Sequence, residues 1–486
     1  MLLASSSALG FMGLFAAQTL IGRQLGPAAY GVFAVALVLV QLAATVGSLG
    51  LATGAARLVA SSVARKRTAE AGKQAATALT IGLLGGFLLG ALLYSLRRPL
   101  AERFDMPGLD GLLSVMAFAV PFLTLLQVGV GVGLGHRLLL VRAIGQDLGH
   151  NGAFLLGVAL AVLWRWGIDA FAGAYVAATI GAALGVVVWL FVSSQRRAGS
   201  LPQLSTPRAA VVRESLAFSL PLLVSASLIF FMSWTDILAL GVLADDASVG
   251  RYEAGQRVAK LLSFPASMLI LTAMPWLTRL LALASFESTV EVYRRMANLL
   301  AWFSVPGCIA IFFHGPAAVQ LLFGAEFNGA GPAVQVLSLG FLAANLFGPT
   351  GSTLAAAGLS RFQMLASLVG LCLNVVLNLL FIPVWGLVGA AVATAVSIAA
   401  INAIRFARLR RLLPLRLGHP AFLVAGLPVV ALAWVVVEWF NPQGILGLVG
   451  AGVGEYGLYM ILVWKRFNQE RFLLKQPPGG AASSAQ

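Results

Sequence analysis

Charged residues are scarce in this chain of 486 residues. Asp, Glu, Lys and Arg make up 10% of it, hydrophobic residues make up 59%, and the mean hydropathy is +0.92. An ordinary soluble domain carries roughly 25% charged residues, so this chain has too few to cover a surface that faces water. Disorder is excluded as well, because the apolar fraction is far too high. The composition therefore predicts a polytopic membrane protein.

Cysteine and histidine are also rare, and common energy and metal motifs are missing. The only cysteines, Cys308 and Cys372, fall inside apolar runs and provide neither a disulfide framework nor a metal-ligand spacing. The four histidines show no HExxH-like spacing, so we expect no metal and no cofactor. His314 lies near a predicted outer loop and could sense protons, but no feature of the sequence favours that role. A Walker A motif is absent, which excludes direct drive by ATP.

Long apolar runs are abundant. A helix needs about 20 mostly apolar residues to cross roughly 30 Å of hydrocarbon, and the runs are continuous rather than alternating with a period of two, which favours helices over strands. The sequence predicts an all-α polytopic membrane protein of about 14 transmembrane helices, near residues 2–21, 30–56, 75–96, 112–134, 147–164, 170–192, 215–241, 250–276, 297–314, 331–353, 363–384, 386–404, 419–440 and 444–464.

Lys and Arg concentrate in alternate loops between these runs. Most of the 32 basic residues fall on the side of the N-terminus, for example Arg65, Lys66, Arg67 and the cluster at 405–416. The positive-inside rule then predicts a multi-pass protein of the cytoplasmic (inner) membrane with both termini in the cytoplasm. Most of the net charge of +15 comes from basic residues in the predicted cytoplasmic loops, which face an anionic leaflet. No nucleic-acid partner is therefore expected.

Two short stretches six spans apart resemble each other. LGPAAYGVFA at 25–34 and LADDASVGRYEA at 243–254 both follow the first helix of a six-span block, and each has a glycine, Gly31 or Gly250, two residues before an aromatic residue. This pattern indicates parallel repeats, a transporter architecture with the substrate site between the halves. The predicted domains are a six-helix bundle at 1–192, a cytoplasmic linker at 193–214, a second six-helix bundle at 215–404, two additional transmembrane helices at 405–464, and a disordered cytoplasmic tail at 465–486.

Several motifs spread through the chain carry a family resemblance. They are RQLGPAAYGVFA at 23–34 and the stretches at 49–60, 234–262, 322–339 and 354–397. On these motifs the chain resembles the oligosaccharide flippase (polysaccharide biosynthesis, O-antigen exporter) family of the multidrug/oligosaccharidyl-lipid/polysaccharide exporter superfamily. The resemblance implies two six-helix bundles around a central cavity. It also implies movement of polyprenyl-diphosphate-linked oligosaccharides from the inner to the outer leaflet, with membrane lipids and the polysaccharide polymerase or ligase machinery as partners.

Charges inside the predicted spans are the candidate site residues, because such charges are costly and usually face a cavity or a partner. Glu253, Arg257 and Lys260 share one face of the eighth span. We predict that Arg257, Lys260 and Arg23, at the outer end of the first span, bind the diphosphate of a carrier lipid, and that Asp236 and Glu253 position them. A diphosphate needs cationic partners with several donors. The alternative is that Asp236–Arg257 or Glu253–Arg257 is a structural ion pair.

Two further charged residues are candidates for gating or coupling. Arg57, at the inner end of the second span, is either an anchor that reaches the membrane surface or a contact of a cytoplasmic gate. Glu455 stands alone among glycines in the last span. It is either a protonated or interhelically bonded side chain, or a coupling-ion site.

Other functions remain as alternatives. A membrane glycosyltransferase, polymerase or ligase is disfavoured, because the longest outer loop, at 96–111, carries only three acids and no second cluster; we expect no enzyme. A drug/cation antiporter of the same superfamily is one alternative, and it would be expected to have more acids than bases inside the membrane. A lipid II flippase is a second alternative, and it resembles the predicted protein more closely than the antiporter does. The energy source, a membrane potential or ion antiport, stays open.

Overall fold

The computed structural model describes residues 2–138, 140–198, 209–283, 286–415, 424–440 and 444–475. Every regular element within these ranges is helical, which confirms the predicted all-α class. The α-helices are α1 (Leu2–Gly47), α2 (Leu51–Ala64), α3 (Thr68–Ser95), α4 (Arg97–Arg103), α5 (Pro107–Met116), α6 (Ala119–Gly135), α7 (Asn151–Leu163), α8 (Ile168–Ala198), α9 (Ala209–Leu243), α10 (Asp246–Lys260), α11 (Phe264–Ala282), α12 (Phe286–Phe323), α13 (Gly331–Leu346), α14 (Thr350–Ala356), α15 (Ser360–Arg410), α16 (Gly426–Val435) and α17 (Gly444–Lys475).

Two of these helices are too long for one membrane crossing. α1 and α15 contain 46 and 51 residues, which at 1.5 Å per residue is roughly 70 Å or more, over twice the hydrocarbon thickness. Each has an internal break at a glycine with positive φ, Gly26 (φ 74°) before Pro27 and Gly386 (φ 55°) after Pro383. The length and the internal break agree with the separate runs at 2–21 and 30–56, and at 363–384 and 386–404; two spans in each helix stay a prediction.

The described residues contain seven helical stretches long and apolar enough to cross a membrane, or eight if one bent pair is a single span. Residues 5–64 and 360–410 each count as one stretch in that number. The chain is therefore a multi-pass membrane protein. The figure of fourteen spans stays a prediction.

Three predicted spans are interrupted in the structure. The run at 30–56 turns between α1 and α2, where Leu49 and Gly50 have positive φ. The run at 112–134 is bent by 53° between α5 and α6. The run at 250–276 is divided by a 3-10 turn, Leu261–Ser263, between α10 and α11. Hydropathy does not register such breaks, because the residues on both sides remain apolar.

The N-terminal compact unit covers Met1–Gly250, and α9 packs in it against α1 and α2. The approach is close at Gly54, where an added Cβ would lie 1.9 Å from Ser219 Oγ. The predicted boundary between the bundles lies at 193–214, and residues 199–208 of that linker lie outside the described ranges. The compact units thus divide later than the predicted linker, while the functional division into two bundles stays a prediction.

The two glycines of the repeated motif contact each other. A Cβ on Gly250 would lie 1.9 Å from the Pro27 carbonyl oxygen and 3.0 Å from Gly31 N, and a Cβ on Gly31 would lie 2.0 Å from the Asp246 carbonyl oxygen. Backbone therefore meets backbone where the second half of α1 crosses the start of α10. The resemblance between the two stretches reflects a shared packing requirement.

The second compact unit covers Arg251–Gln486. In it α12 contacts α13, α16 and α17, and its apolar core is formed by Ala301, Trp302, Val305, Ile309, Val429, Ala433, Tyr459 and Val463. Helix α17 continues to Lys475, past the predicted end of the last span at 464. The disordered tail predicted from 465 is therefore helical as far as Lys475, because Arg, Gln, Glu, Leu and Lys there support a helix, and residues 476–486 lie outside the described ranges.

Candidate cationic site and buried charged groups

The basic face predicted on the eighth span lies on α10. Arg257 Nη2 is 2.5 Å from Glu253 Oε1, one helical turn earlier, and the two side chains are 13% and 2% exposed. Both residues belong to α10, so this ion pair lies within one helix. Whether it is purely structural, the alternative that the sequence left open, stays untested.

Lys260 is the last residue of α10. Its ammonium Nζ donates to Gln256 Oε1 at 2.6 Å, and Gln256 Nε2 lies 3.4 Å from the Tyr252 hydroxyl. The following 3-10 turn is held by Asn345, whose Nδ2 donates to the Leu262 carbonyl at 3.0 Å. The dipole of a helix stabilises a cation at its C-terminus. Because α10 ends at Lys260, this dipole stabilises the charge of the Lys260 ammonium.

Arg23 and Arg57 have exposed side chains. Arg23 lies on α1 just before the break at Gly26, and its neighbour Gln24 donates to the Trp166 carbonyl at 3.1 Å. Arg57 lies on α2. The predicted roles of Arg23 in binding the diphosphate and of Arg57 as an anchor or gate contact are not tested by this geometry.

Asp236 is buried on α9, in the N-terminal unit, with 1% of its surface exposed. Arg251 packs on the 3-10 segment Ala325–Ala330, and its Nε donates to the Glu326 carbonyl at 3.5 Å. A Cβ on Gly329 would lie 3.2 Å from Arg251 Cδ. The role of Asp236 beside the bases stays a prediction, whereas Arg251 has a local packing role.

Glu455 does not stand alone. Its Oε1 lies 2.6 Å from His314 Nε2, and the two side chains are 0% and 7% exposed. The contact joins α17 to α12. Sequence analysis noted both residues separately, and their separation of 141 positions conceals the pair from any local pattern.

Sequence analysis missed a polar cluster in the N-terminal unit. The Ser7 hydroxyl donates to Asp147 Oδ2 at 2.9 Å, and Asn151 Nδ2 donates to the Gly10 carbonyl at 3.2 Å. His150 Nε2 lies 3.0 Å from the Thr179 hydroxyl. These residues occupy a π-helical segment, Arg142–His150, and the start of α7. Their polarity obscured the fifth span, but each finds a partner on a neighbouring helix.

A second missed cluster lies in α15. Asn378 Nδ2 donates to Asn374 Oδ1 at 3.0 Å, and Asn374 Nδ2 donates to the Thr394 hydroxyl at 3.3 Å across the break at Gly386. All three polar side chains are buried. Two asparagines four positions apart in an apolar run lie on one face of a helix, and buried amides require hydrogen-bond partners. This spacing was therefore a signal in the sequence for a buried polar cluster.

This geometry defines a class: a multi-pass helical membrane protein with broken helices, buried charges and a basic face on α10. A model of the family described as "Polysaccharide biosynthesis protein" matches residues 20–332. The chain belongs to the polysaccharide biosynthesis protein family, and the predicted resemblance to oligosaccharide flippases is confirmed.

Similar curated proteins come from bacteria and archaea. The chain is 26% identical over 357 residues to the "Uncharacterized membrane protein YabM" of Bacillus subtilis, a match that covers 69% of this chain and 65% of YabM. It is 25% identical over 170 residues to the "Probable low-salt glycan biosynthesis flippase Agl15" of Haloferax volcanii, covering 35% of this chain and 36% of Agl15. Each match spans less than two thirds of the relative.

Solved transporters share the fold. A structure titled "Lipid II flippase MurJ, inward closed conformation" matches 96% of this chain and 99% of its own with a TM-score of 0.72 at 11% identity. An inward-facing multidrug resistance MATE family transporter of the MOP superfamily matches 84% of this chain and 94% of its own with a TM-score of 0.66 at 15% identity. The chain thus has the fold of these flippase-like membrane transporters.

Proposed function

We propose that this protein moves polyprenyl-diphosphate-linked oligosaccharides from the inner to the outer leaflet of the cytoplasmic membrane, for cell-surface polysaccharide biosynthesis. The proposal places both termini in the cytoplasm and makes the protein a transporter rather than an enzyme. Family membership supports it, as do the names of two relatives, Agl15 and the "Probable flippase AglR" of Haloferax volcanii.

The observation that carries the proposal is the basic face of α10. Arg257 and Lys260 lie one turn apart on a helix that continues into the apolar α11, and Arg257 is 13% exposed. A cation within a membrane costs at least about 2.5 kcal/mol unless an anion compensates it. Glu253 is one anionic partner of Arg257, and the second base on the same face, Lys260, supports a further anionic partner, the substrate. A diphosphate offers the oxygens that an arginine fork and a lysine ammonium bind.

The transport cycle that we propose is alternating access. The saccharide and diphosphate enter from the cytoplasmic side, Arg257, Lys260 and Arg23 bind the diphosphate, and the prenyl tail remains in lipid. Asp236 and Glu253 hold the bases in position, and Arg57 is a contact of the cytoplasmic gate. Downstream partners are the polymerase or ligase machinery that consumes the lipid-linked saccharide in the outer leaflet.

Two other substrates compete with this proposal. One is lipid II, as in the name of the lipid II flippase MurJ, and the other is an organic cation, the substrate class of the drug/cation antiporter alternative. An organic cation would be attracted by Asp236, Glu253 and Glu455, but Glu253 is already paired with Arg257 and Glu455 with His314. The remaining cationic face favours an anionic lipid.

Deletion of the gene in its own host tests the proposal. The expected result is that lipid-linked oligosaccharide accumulates in the inner leaflet, surface polysaccharide is lost, and a wild-type copy restores it. Accumulation of lipid II with arrest of growth would instead identify a lipid II flippase. Unchanged surface polysaccharide with increased drug sensitivity would identify an antiporter.

A further inference from the structure

One buried ionisable pair of the C-terminal unit has no part in binding the substrate. His314 Nε2 on α12 lies 2.6 Å from Glu455 Oε1 on α17, with 7% and 0% of the two side chains exposed. At a rise of about 1.5 Å per residue, His314 lies about 14 Å from the end of α12 at Phe323, and Glu455 lies about 16 Å from the start of α17 at Gly444. Both groups therefore lie at a similar depth, well inside their helices.

The second carboxyl oxygen is the observation that suggests a proton at this pair. Glu455 Oε2 is buried and has no hydrogen-bond partner among the described residues. Burying an ionised carboxylate in an apolar layer costs much free energy when one of its oxygens has no hydrogen-bond donor. A neutral carboxylic acid costs less to bury there, because it carries no net charge. A proton held between Glu455 and His314 satisfies this environment.

The nearest ionisable groups along the two helices that hold the pair are a thiol and two phenols. Cys308 on α12 and Tyr456 and Tyr459 on α17 lie within two turns of it. The apolar core around Trp302 and Tyr459 includes residues of both helices, with Phe313 packed against the same core. The other titratable residues of the two helices lie ten or more positions along the chain from the pair: Glu287, Glu291, Tyr293, Arg294 and Arg295 on α12, and Lys465, Arg466, Glu470, Arg471 and Lys475 on α17. The exposed Glu438 follows α16, and the exposed Glu326 lies in the 3-10 segment before α13. α13 itself, as its sequence shows, carries no ionisable residue.

We propose that His314 and Glu455 form a proton-binding site that controls how α17 packs on α12. Binding one proton converts an imidazole and a carboxylate, with a net charge of −1, into a neutral pair linked by a hydrogen bond. A second proton gives an imidazolium beside a carboxylic acid, with a net charge of +1. The one-proton state is the only neutral one, so it stabilises the packing of α17.

The site does not depend on the identity of the transported lipid. It lies where α17 packs on the core of the C-terminal unit. The sequence has no Walker A motif, and this pair would let the protein respond to proton concentration. Because the two groups are in direct contact, each variant is expected to change the response of the pair as a whole.

Thermal unfolding of the purified wild-type protein across a pH series tests this proposal without any substrate. We expect the melting temperature to fall on the alkaline side, because loss of the shared proton leaves a carboxylate in an apolar layer. Glu455→Gln and His314→Gln should each remove that alkaline fall. Glu438→Gln, the same change at an exposed glutamate, should keep it.

An infrared difference spectrum provides a second readout that does not require a stable variant. The wild-type protein should show a carboxylic acid band that disappears as the pH rises and that Glu438→Gln retains. The proposal is contradicted if Glu455→Gln and the wild type share one pH profile, or if no such band titrates. It is also contradicted if sodium ions, rather than protons, set the melting temperature at fixed pH.

Discussion

Replacing Arg257 by Gln is expected to lower the melting temperature of the protein and to abolish saccharide transport. The change removes the guanidinium that lies 2.5 Å from Glu253 Oε1 and leaves a carboxylate that is 2% exposed. Breaking a buried pair from one side costs about 3–5 kcal/mol. Thermal unfolding of the purified variant measures the loss of stability, and complementation of a deletion strain measures the loss of transport.

The double variant Glu253→Gln/Arg257→Gln separates a structural role from a role in binding. Two neutral amides at these positions remove the orphaned charge, so the melting temperature is expected to return towards the wild-type value. Transport should remain at least about ten-fold below wild type, because a contact with the diphosphate worth about 1.4 kcal/mol or more is still missing. A double variant that transports at the wild-type rate would make the pair purely structural.

Replacing Gly250 by Ala is expected to prevent normal packing of α10 on α1. The added Cβ would lie 1.9 Å from the Pro27 carbonyl oxygen, a backbone atom that cannot rotate away. Overpacking of this kind costs typically 1–3 kcal/mol and occasionally more, and a backbone obstacle places Gly250→Ala at or above about 3 kcal/mol. Yield of monodisperse protein and the melting temperature are the measurements.

Gly181→Ala is the matched control for this change. It is the same substitution within a helix, α8, at a position where an added Cβ meets no atom within 4 Å. Because Ala favours a helix over Gly by up to about 1 kcal/mol, the control should equal or exceed wild-type stability. Equal melting temperatures for Gly250→Ala and the wild type would show that the repeated glycines are not in close contact.

The features that composition and local pattern determine were predictable from the sequence. The all-α membrane fold follows from hydropathy. The break at Gly26 lies between two predicted spans, and the break at Gly386 lies at the first residue of the predicted span 386–404. The repeated pattern around Gly31 and Gly250 indicated parallel repeats, which stay a prediction, and the structure adds a close contact between the two glycines. The intrahelical pair of Glu253 and Arg257 also follows from their spacing of four residues.

Tertiary contacts set the features that could not be predicted. The 3-10 turn after Lys260 depends on an amide from Asn345, 83 positions away, and no local pattern records it. His314 and Glu455 each look like an isolated polar residue in an apolar run, and only the packing of α17 on α12 makes them a pair. The relation of Arg23 to the bases of α10 stays a prediction.

Reconstitution into lipid vesicles tests the central claim most directly, namely that the basic face of α10 carries a diphosphate-linked saccharide across the membrane. A fluorescent polyprenyl-diphosphate oligosaccharide placed in one leaflet is assayed with a reagent that cannot cross the membrane. We predict that the wild-type protein exposes the labelled lipid far faster than empty vesicles do, and that Lys260→Gln slows this at least about ten-fold, a loss of about 1.4 kcal/mol. Equal exposure with wild-type protein and in empty vesicles, or full activity of both Lys260→Gln and Arg257→Gln, would contradict the account.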